Sequence, residues 1–126
     1  MNTLAWVLQI FLAVVFLLHG LLYTVAYGAA AKRMAGRGRP PSTLPPALRQ
    51  FIGVAELAAA FGLTVPPALH LFSWLAPLAA AGLVLVMVGA AIFHVRRSEF
   101  PAAALMVFLG GLAAVTVFLR WEVVPL

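Results

Sequence analysis

Four long runs of apolar residues follow one another along the chain, and short polar stretches that hold most of the charged residues separate them. An α-helix of about 20 apolar residues spans a bilayer core about 30 Å thick. Each of the four runs reaches that length. The pattern therefore predicts membrane-spanning helices over about residues 3–30, 45–65, 72–95 and 100–121.

Prolines, glycines and charges mark where these helices end. Residues 32–46 hold four basic side chains and four prolines, which predicts a polar loop without helix. The pair Pro66-Pro67 is expected to divide the second helix from the third, because proline breaks a helix interior. A short basic turn at residues 96–99 precedes the fourth helix. We interpret residues 1–126 as a single membrane domain.

Composition agrees with this interpretation and excludes several classes of protein. Hydrophobic residues make up 65% of the chain and charged residues 9%, whereas a soluble domain carries about 25% charged residues. This excludes an ordinary soluble globule, a disordered chain and a nucleic-acid-binding module. With no cysteine, the chain forms no disulfide, iron–sulfur cluster or thiolate zinc site. The predicted fold is an all-α, integral membrane, antiparallel four-helix bundle.

The positions of the basic residues predict the orientation of the bundle. Seven of the eight Lys and Arg residues lie in or beside the loops that join helices one to two and three to four. Basic loops stay in the cytoplasm, so both loops are expected there and both termini outside. Arg120, the eighth, is expected to anchor the opposite end of helix four at the membrane interface, on a weak polar stripe with Thr116.

Glu56 is the most informative residue because it lies near the middle of the second predicted helix. A charged side chain at that depth costs about 2.5–3.5 kcal/mol on insertion scales. It must therefore face the bundle, find a partner or stay protonated. His19 on the first helix falls within about 7 Å of Glu56 in depth, so an antiparallel pair of helices could bring them together. Tyr23 lies four residues after His19, on the same face.

Two interpretations of Glu56 and His19 stand at this point. They are either the catalytic or binding groups of an intramembrane site, or a carboxyl and a histidine satisfied between helices. Small residues around Glu56 would leave room for a ligand. The candidate ligand-binding residues are Tyr23, Arg49, which lies seven residues before Glu56, and His94, near the cytoplasmic end of helix three. No metal site is predicted, and the depths of His19 and His94 differ by about two turns, which disfavours haem.

The chain resembles the DoxX-like family of small four-helix bacterial membrane proteins. The resemblance rests on Arg49 to Leu57 (RQFIGVAEL), on Phe61-Gly62-Leu63 before Pro66, and on the stretch from Pro77 to Glu99. It departs at His19-Gly20, which leads to Tyr23 where such proteins often carry a lysine. The resemblance implies a bacterial inner-membrane protein. Some relatives are associated with thiosulfate:quinone oxidoreduction, some with thiol and oxidative-stress partners and some with membrane assembly.

Two functional hypotheses follow. In the first, the Glu56 and His19 pocket binds a small lipophilic molecule such as a quinone or an isoprenoid-like lipid, with acid–base isomerisation or epoxide opening as the chemistry if the protein is an enzyme. In the second, the protein is a non-catalytic accessory or assembly subunit of a membrane redox complex. No cofactor is assigned beyond the candidate quinone. The expected partners are membrane lipid, another membrane protein or a second copy, and no nucleic acid.

Overall fold

The computed structural model describes residues 1–38 and 43–126, and these residues form helices and no strand. The helices are α1 (Asn2–Thr24), α2 (Tyr27–Gly36), α3 (Pro46–Ala68), α4 (Leu75–Arg96) and α5 (Phe100–Phe118), with a π-helical turn over Leu119–Val123.

Four of these helices form the bundle. Helices α1, α3, α4 and α5 with its π-helical turn are long and apolar enough to cross a membrane. Helix α1 packs mainly on α3, α3 on α4 and α4 on α5, while α1 meets α5 less extensively. Leu12, Phe16, Leu63, Leu83 and Leu109 lie in the shared core. The predicted all-α membrane bundle of four helices is confirmed.

The predicted first helix is wrong in its extent, because α1 ends at Thr24. The Thr24 hydroxyl donates to the Gly20 carbonyl at 2.8 Å, and the backbone N–H groups of Val25 and Ala26 both donate to the carbonyl of Leu21. Sharing one acceptor interrupts the regular ladder. Neither proline nor glycine stands at residues 24–27, so this break could not be predicted from helix-breaking residues.

The predicted basic loop over residues 32–46 is also partly helical. Lys32 and Arg33 are exposed residues of α2, which continues to Gly36. Residues 39–42 of that predicted loop lie outside the described residues. Four residues after them, α3 begins with Pro46 in its first turn, where a missing N–H costs no helical hydrogen bond.

The proline pair does not divide two helices as predicted, because Pro66 and Pro67 lie inside the last turn of α3, which ends at Ala68. Pro67 has no N–H to donate to the carbonyl of Leu63 four residues earlier. The side-chain amide of Gln9 on α1 donates to that carbonyl instead. A tertiary hydrogen bond therefore satisfies the acceptor that proline leaves free, and the helix continues.

The third span begins at Leu75, three residues later than predicted, because the turn between α3 and α4 extends past residue 72. His70 and Phe72 there have φ angles of 54° and 48°, in the left-handed region that excludes a continuous right-handed helix. His70 is exposed, as expected for a turn outside the bundle.

Two glycines let α1 and α3 approach each other closely. A Cβ atom at Gly20 would lie 2.8 Å from the carbonyl oxygen of Gly53, and one at Gly53 would lie 2.8 Å from Cγ2 of Thr24. Small residues at such crossings allow membrane helices to pack backbone against backbone. The contact lies one residue from His19 and three residues from Glu56, so it brings these two side chains within reach of each other.

We predict that Gly20→Ala destabilises the protein by about 1–3 kcal/mol, the usual cost of forcing extra atoms into a packed contact. The matched control is Gly89→Ala, since a Cβ at Gly89 meets nothing within 4 Å. That control should leave stability unchanged or raise it by about 0.5–1 kcal/mol. Reversible unfolding in detergent measures both, and equal stabilities of the two variants would contradict the close contact.

Candidate functional site

A hydrogen-bonded pair of a buried carboxyl and a partly exposed imidazole lies between α1 and α3. Nδ1 of His19 is 2.7 Å from Oε2 of Glu56. Glu56 is 1% exposed, whereas the side chain of His19 is 41% exposed. The structure therefore brings together the two residues that depth alone had placed near each other. Access to the pair is through the imidazole, because the carboxyl is covered.

The hydrogen bond determines what the imidazole can do. When Glu56 is ionised it accepts a proton-bearing Nδ1, and this fixes the tautomer in which Nε2 carries a lone pair. A carboxylate in this position orients the imidazole and stabilises its protonated form. His19 can thus accept a proton at Nε2 or receive a hydrogen bond there. The pair can therefore act as a general base and then as a general acid in a proton transfer.

Aromatic rings continue from this pair toward the end of the bundle that carries the basic loops, which we call the basic end. The ring of Tyr23 lies 4.2 Å from that of His19, tilted by 42°. The ring of Tyr27 lies 6.2 Å from that of Tyr23, edge to face. The guanidinium of Arg49 stacks 3.8 Å above the Tyr27 ring. Of the predicted residues, Tyr23 therefore contacts the pair directly, and Arg49 is linked to it through Tyr27 and Tyr23.

Tyr27 was missed by the sequence reasoning, although it lies four residues after Tyr23. It begins α2, so its stacking on Arg49 of α3 holds α2 against the bundle. A stacked guanidinium of this kind contributes about 0.5–2 kcal/mol. Nε of Arg49 is buried and has no hydrogen-bond partner within the described part of the chain. No ion pair joins Arg49 to Glu56 among those residues.

His94 belongs to a different cluster, in the turn between α4 and α5. Its Nδ1 lies 2.9 Å from Oε2 of Glu99. Arg97 donates from Nε to the other oxygen of Glu99 and from Nη1 to the hydroxyl of Thr43 at 2.6 Å. These contacts tie the α4–α5 turn to the segment before α3. In the described structure His94 has no contact with the Glu56 pair, and its predicted place beside the ligand stays untested.

Two apolar grooves flank the exposed Phe61 on α3. One, of about 380 Å³, lies against α4 and the other, of about 400 Å³, lies against α1. Neither groove is lined by Glu56 or His19. Neither groove therefore supplies the room for a ligand that small residues were expected to leave beside the carboxyl. Within residues 1–38 and 43–126, no three His, Cys, Asp or Glu side chains cluster as metal ligands would.

A second buried polar cluster occupies the far end of the bundle, which is the end with the start of α1 and the end of α5. Arg120 is 3% exposed and Gln9 is fully buried. Arg120 donates from Nε to Oε1 of Gln9 and from Nη1 to Oδ1 of Asn2 at 2.7 Å. Arg120 was expected to anchor the end of the helix at the membrane interface, and the structure shows that its guanidinium is covered by other residues of the bundle. Gln9 gave a signal that the sequence reasoning passed over: it is an amide in an apolar helix.

An integral membrane four-helix bundle with a buried carboxyl–imidazole pair is the class of protein that this fold and site define. The model of the DoxX-like family matches residues 7–118, and the chain belongs to the DoxX-like family. The matched range includes both His19 and Glu56. No curated protein and no solved structure matched the chain in the corresponding comparisons.

We predict a pH-dependent contribution to stability from Glu99, which lies between two spans. Hydrogen bonds from Arg97 and then from His94 hold the pKa of the Glu99 carboxyl below its ordinary value. The ionised carboxyl thus favours the folded state above the ordinary glutamate pKa of about 4.3. That contribution is lost as the pH falls through the lowered folded pKa. At neutral pH the Tm of wild type should therefore be higher than that of Glu99→Gln. In acid this difference should disappear.

The matched control for this prediction is Glu122→Gln, since Glu122 is exposed and forms no ion pair among the described residues. Its Tm should follow that of wild type at every pH. A difference between wild type and Glu99→Gln that is equally large in acid would contradict the ionic contribution.

Proposed function

We propose that Glu56 and His19 bind the polar group of a small lipophilic molecule within the membrane. The observation that carries the proposal is a 1% exposed carboxyl hydrogen-bonded to an imidazole that is 41% exposed. A buried polar group needs a hydrogen-bond partner, and the imidazole of His19 is that partner for Glu56. Here one partner is covered and the other faces outward, as a binding group does. The ring of Tyr23 covers one side of the imidazole.

The surroundings support an apolar ligand with few polar atoms. The grooves on either side of Phe61 are lined almost wholly by Ala, Leu, Val, Ile and Phe side chains. Ala59 and Ala60, within four residues of Glu56, line one groove each. A quinone or an isoprenoid-like molecule fits this combination, because its tail is apolar and its head carries one or two oxygen atoms. Nε2 of His19 would bind a hydroxyl, or an imidazolium would bind a carbonyl.

Acid–base isomerisation is the reaction that this pair supports best. Nε2 of His19 would take a proton from a carbon next to a double bond, and the imidazolium would return it at the other end of the allylic system. The double bond moves and no electrons are lost, so the step needs no redox partner. Glu56 would stabilise the imidazolium that forms between the two transfers. Opening of an epoxide would use the same imidazolium to protonate the ring oxygen while a water molecule attacks the carbon whose C–O bond breaks, and the released proton restores the imidazolium.

The chain is an integral membrane protein of the DoxX-like family, and we further propose that it lies in the bacterial inner membrane with its basic end in the cytoplasm. The charge bias of the loops supports this orientation. A non-catalytic role in a membrane redox complex is the alternative. In that case Glu56 and His19 would only join α1 to α3.

We predict that native mass spectrometry of the protein purified in detergent shows wild type carrying a discrete lipophilic molecule, and that Glu56→Gln loses it. Glutamine keeps the size of the side chain but cannot act as a carboxylate, so the pair no longer stabilises a charged imidazole. Glu122→Gln is the matched control and should retain the molecule. Circular dichroism checks that the Glu56 variant is folded.

Ligand binding is contradicted if wild type carries no bound molecule and its mass spectrum does not differ from that of the Glu56→Gln variant. Loss of a co-purifying protein from the folded variant, with no small molecule on wild type, would favour the accessory role instead.

We predict the orientation from single-cysteine labelling, which the cysteine-free chain allows without further changes. Ala35→Cys in α2 and Ala68→Cys at the end of α3 both replace exposed residues. In intact cells, a membrane-impermeant maleimide should label Ala68→Cys and leave Ala35→Cys unlabelled until the membrane is opened. The reverse pattern would invert the proposed orientation.

A further inference from the structure

The guanidinium of Arg120 is a buried positive charge whose hydrogen-bond partners are all neutral. It is 3% exposed, and its acceptors are the amide oxygens of Gln9 and Asn2 and, at 3.2 Å, the carbonyl of Val124. No carboxylate pairs with it in the described part of the chain. Buried charges in proteins are ordinarily paired with an opposite charge. The far end of the bundle therefore holds a cation without a counter-ion.

The unused donors of this side chain have a defined position. Nη2 of Arg120 is buried and has no hydrogen-bond partner among the described residues. The other two nitrogens are already engaged, so the guanidinium is held in one orientation. Nη2 still carries N–H donors, and the oxygen atoms of a phosphate or a carboxylate accept strong hydrogen bonds from a charged guanidinium. An anion with oxygen atoms would satisfy both this donor and the unpaired charge.

The amide of Gln9 is fixed by the chain itself. Its nitrogen donates to the carbonyl of Leu63, which Pro67 leaves without its helical donor. The oxygen of Gln9 must then face away from α3, toward Nε of Arg120. The guanidinium is thus held by a built arrangement and not by a rotatable surface contact. Arg120 also lies in a π-helical turn, a feature that occurs frequently at functional sites.

The location of the cluster indicates what the anion is attached to. The guanidinium lies 5.1 Å from the centre of the Trp6 ring, and Trp121 beside it is exposed. Tryptophan side chains prefer the headgroup level of a membrane. Asn2 is exposed and Trp6 and Val124 are partly exposed, so the cluster is next to the surface of the bundle. The phosphate of a phospholipid lies at this level.

We propose that Arg120, together with Gln9, Asn2 and Trp6, forms a binding site for the phosphate group of a phospholipid at the far end of the bundle. The site is separate from the Glu56 pair, since Gln9 and His19 are about 15 Å apart along α1. It does not rest on the proposed function. Phosphate would supply the opposite charge that the residues of the cluster lack.

The test is native mass spectrometry in detergent with phosphatidylglycerol or with diacylglycerol of the same acyl chains. Wild type should retain phosphatidylglycerol at least about tenfold better than diacylglycerol, and Arg120→Gln should lose that preference, as expected from a charged hydrogen bond. Arg33→Gln, which removes an exposed cation of α2, is the matched control and should bind like wild type. Equal retention of phosphatidylglycerol by wild type and a folded Arg120→Gln variant would overturn the proposal.

Thermal unfolding of wild type alone keeps the proposal testable if Arg120→Gln does not fold. Phosphatidylglycerol should raise the Tm and diacylglycerol should not, because only the former carries phosphate. An equal rise with inorganic phosphate would support the phosphate site and identify a free anion as its occupant. If none of the three additives changes the Tm from that of the protein alone, or if all three raise it equally, the phosphate site is overturned.

Discussion

The need to satisfy a carboxyl inside an apolar bundle governs the arrangement of α1 and α3. Glu56 is covered on all sides, so its partner must come from a neighbouring helix at the same depth. His19 reaches it only because Gly20 and Gly53 let the two backbones approach within van der Waals contact. A larger residue at either glycine would separate imidazole from carboxyl. Close packing and the polar pair therefore depend on each other.

Helix α1 contributes to both polar clusters of the bundle. Its Gln9 meets α3 and the end of α5, and its His19 meets α3 nearer the basic end. Between them the helix presents the apolar side chains of Leu12 and Phe16 to the core. Helix α1 contacts α5 less extensively than it contacts α3, and the Arg120 cluster adds polar contacts on that side. The bundle is thus held by apolar packing through α3 and α4 and by polar contacts across α1.

The sequence was sufficient for the spans and for the proximity of His19 and Glu56, because hydropathy and helical rise determine length and depth. It was insufficient where a tertiary contact replaces a local one. Proline predicted a break at Pro66, but Gln9 from another helix satisfies the carbonyl that Pro67 leaves free. Hydropathy placed Arg120 at the interface, but it did not predict that Gln9 and Asn2 of α1 would accept hydrogen bonds from its covered guanidinium. The end of α1 at Thr24 depends on shared backbone acceptors, which composition does not encode.

The hydrogen bond from Gln9 to Leu63 also links residues that are distant in the chain. Any residue with a backbone N–H at position 67 would compete with Gln9 for the Leu63 carbonyl. The displaced amide could then turn its nitrogen toward the guanidinium of Arg120, where donor would face donor. Positions 9, 67 and 120 are therefore coupled through one amide group, although 58 residues separate the first two and 53 the last two.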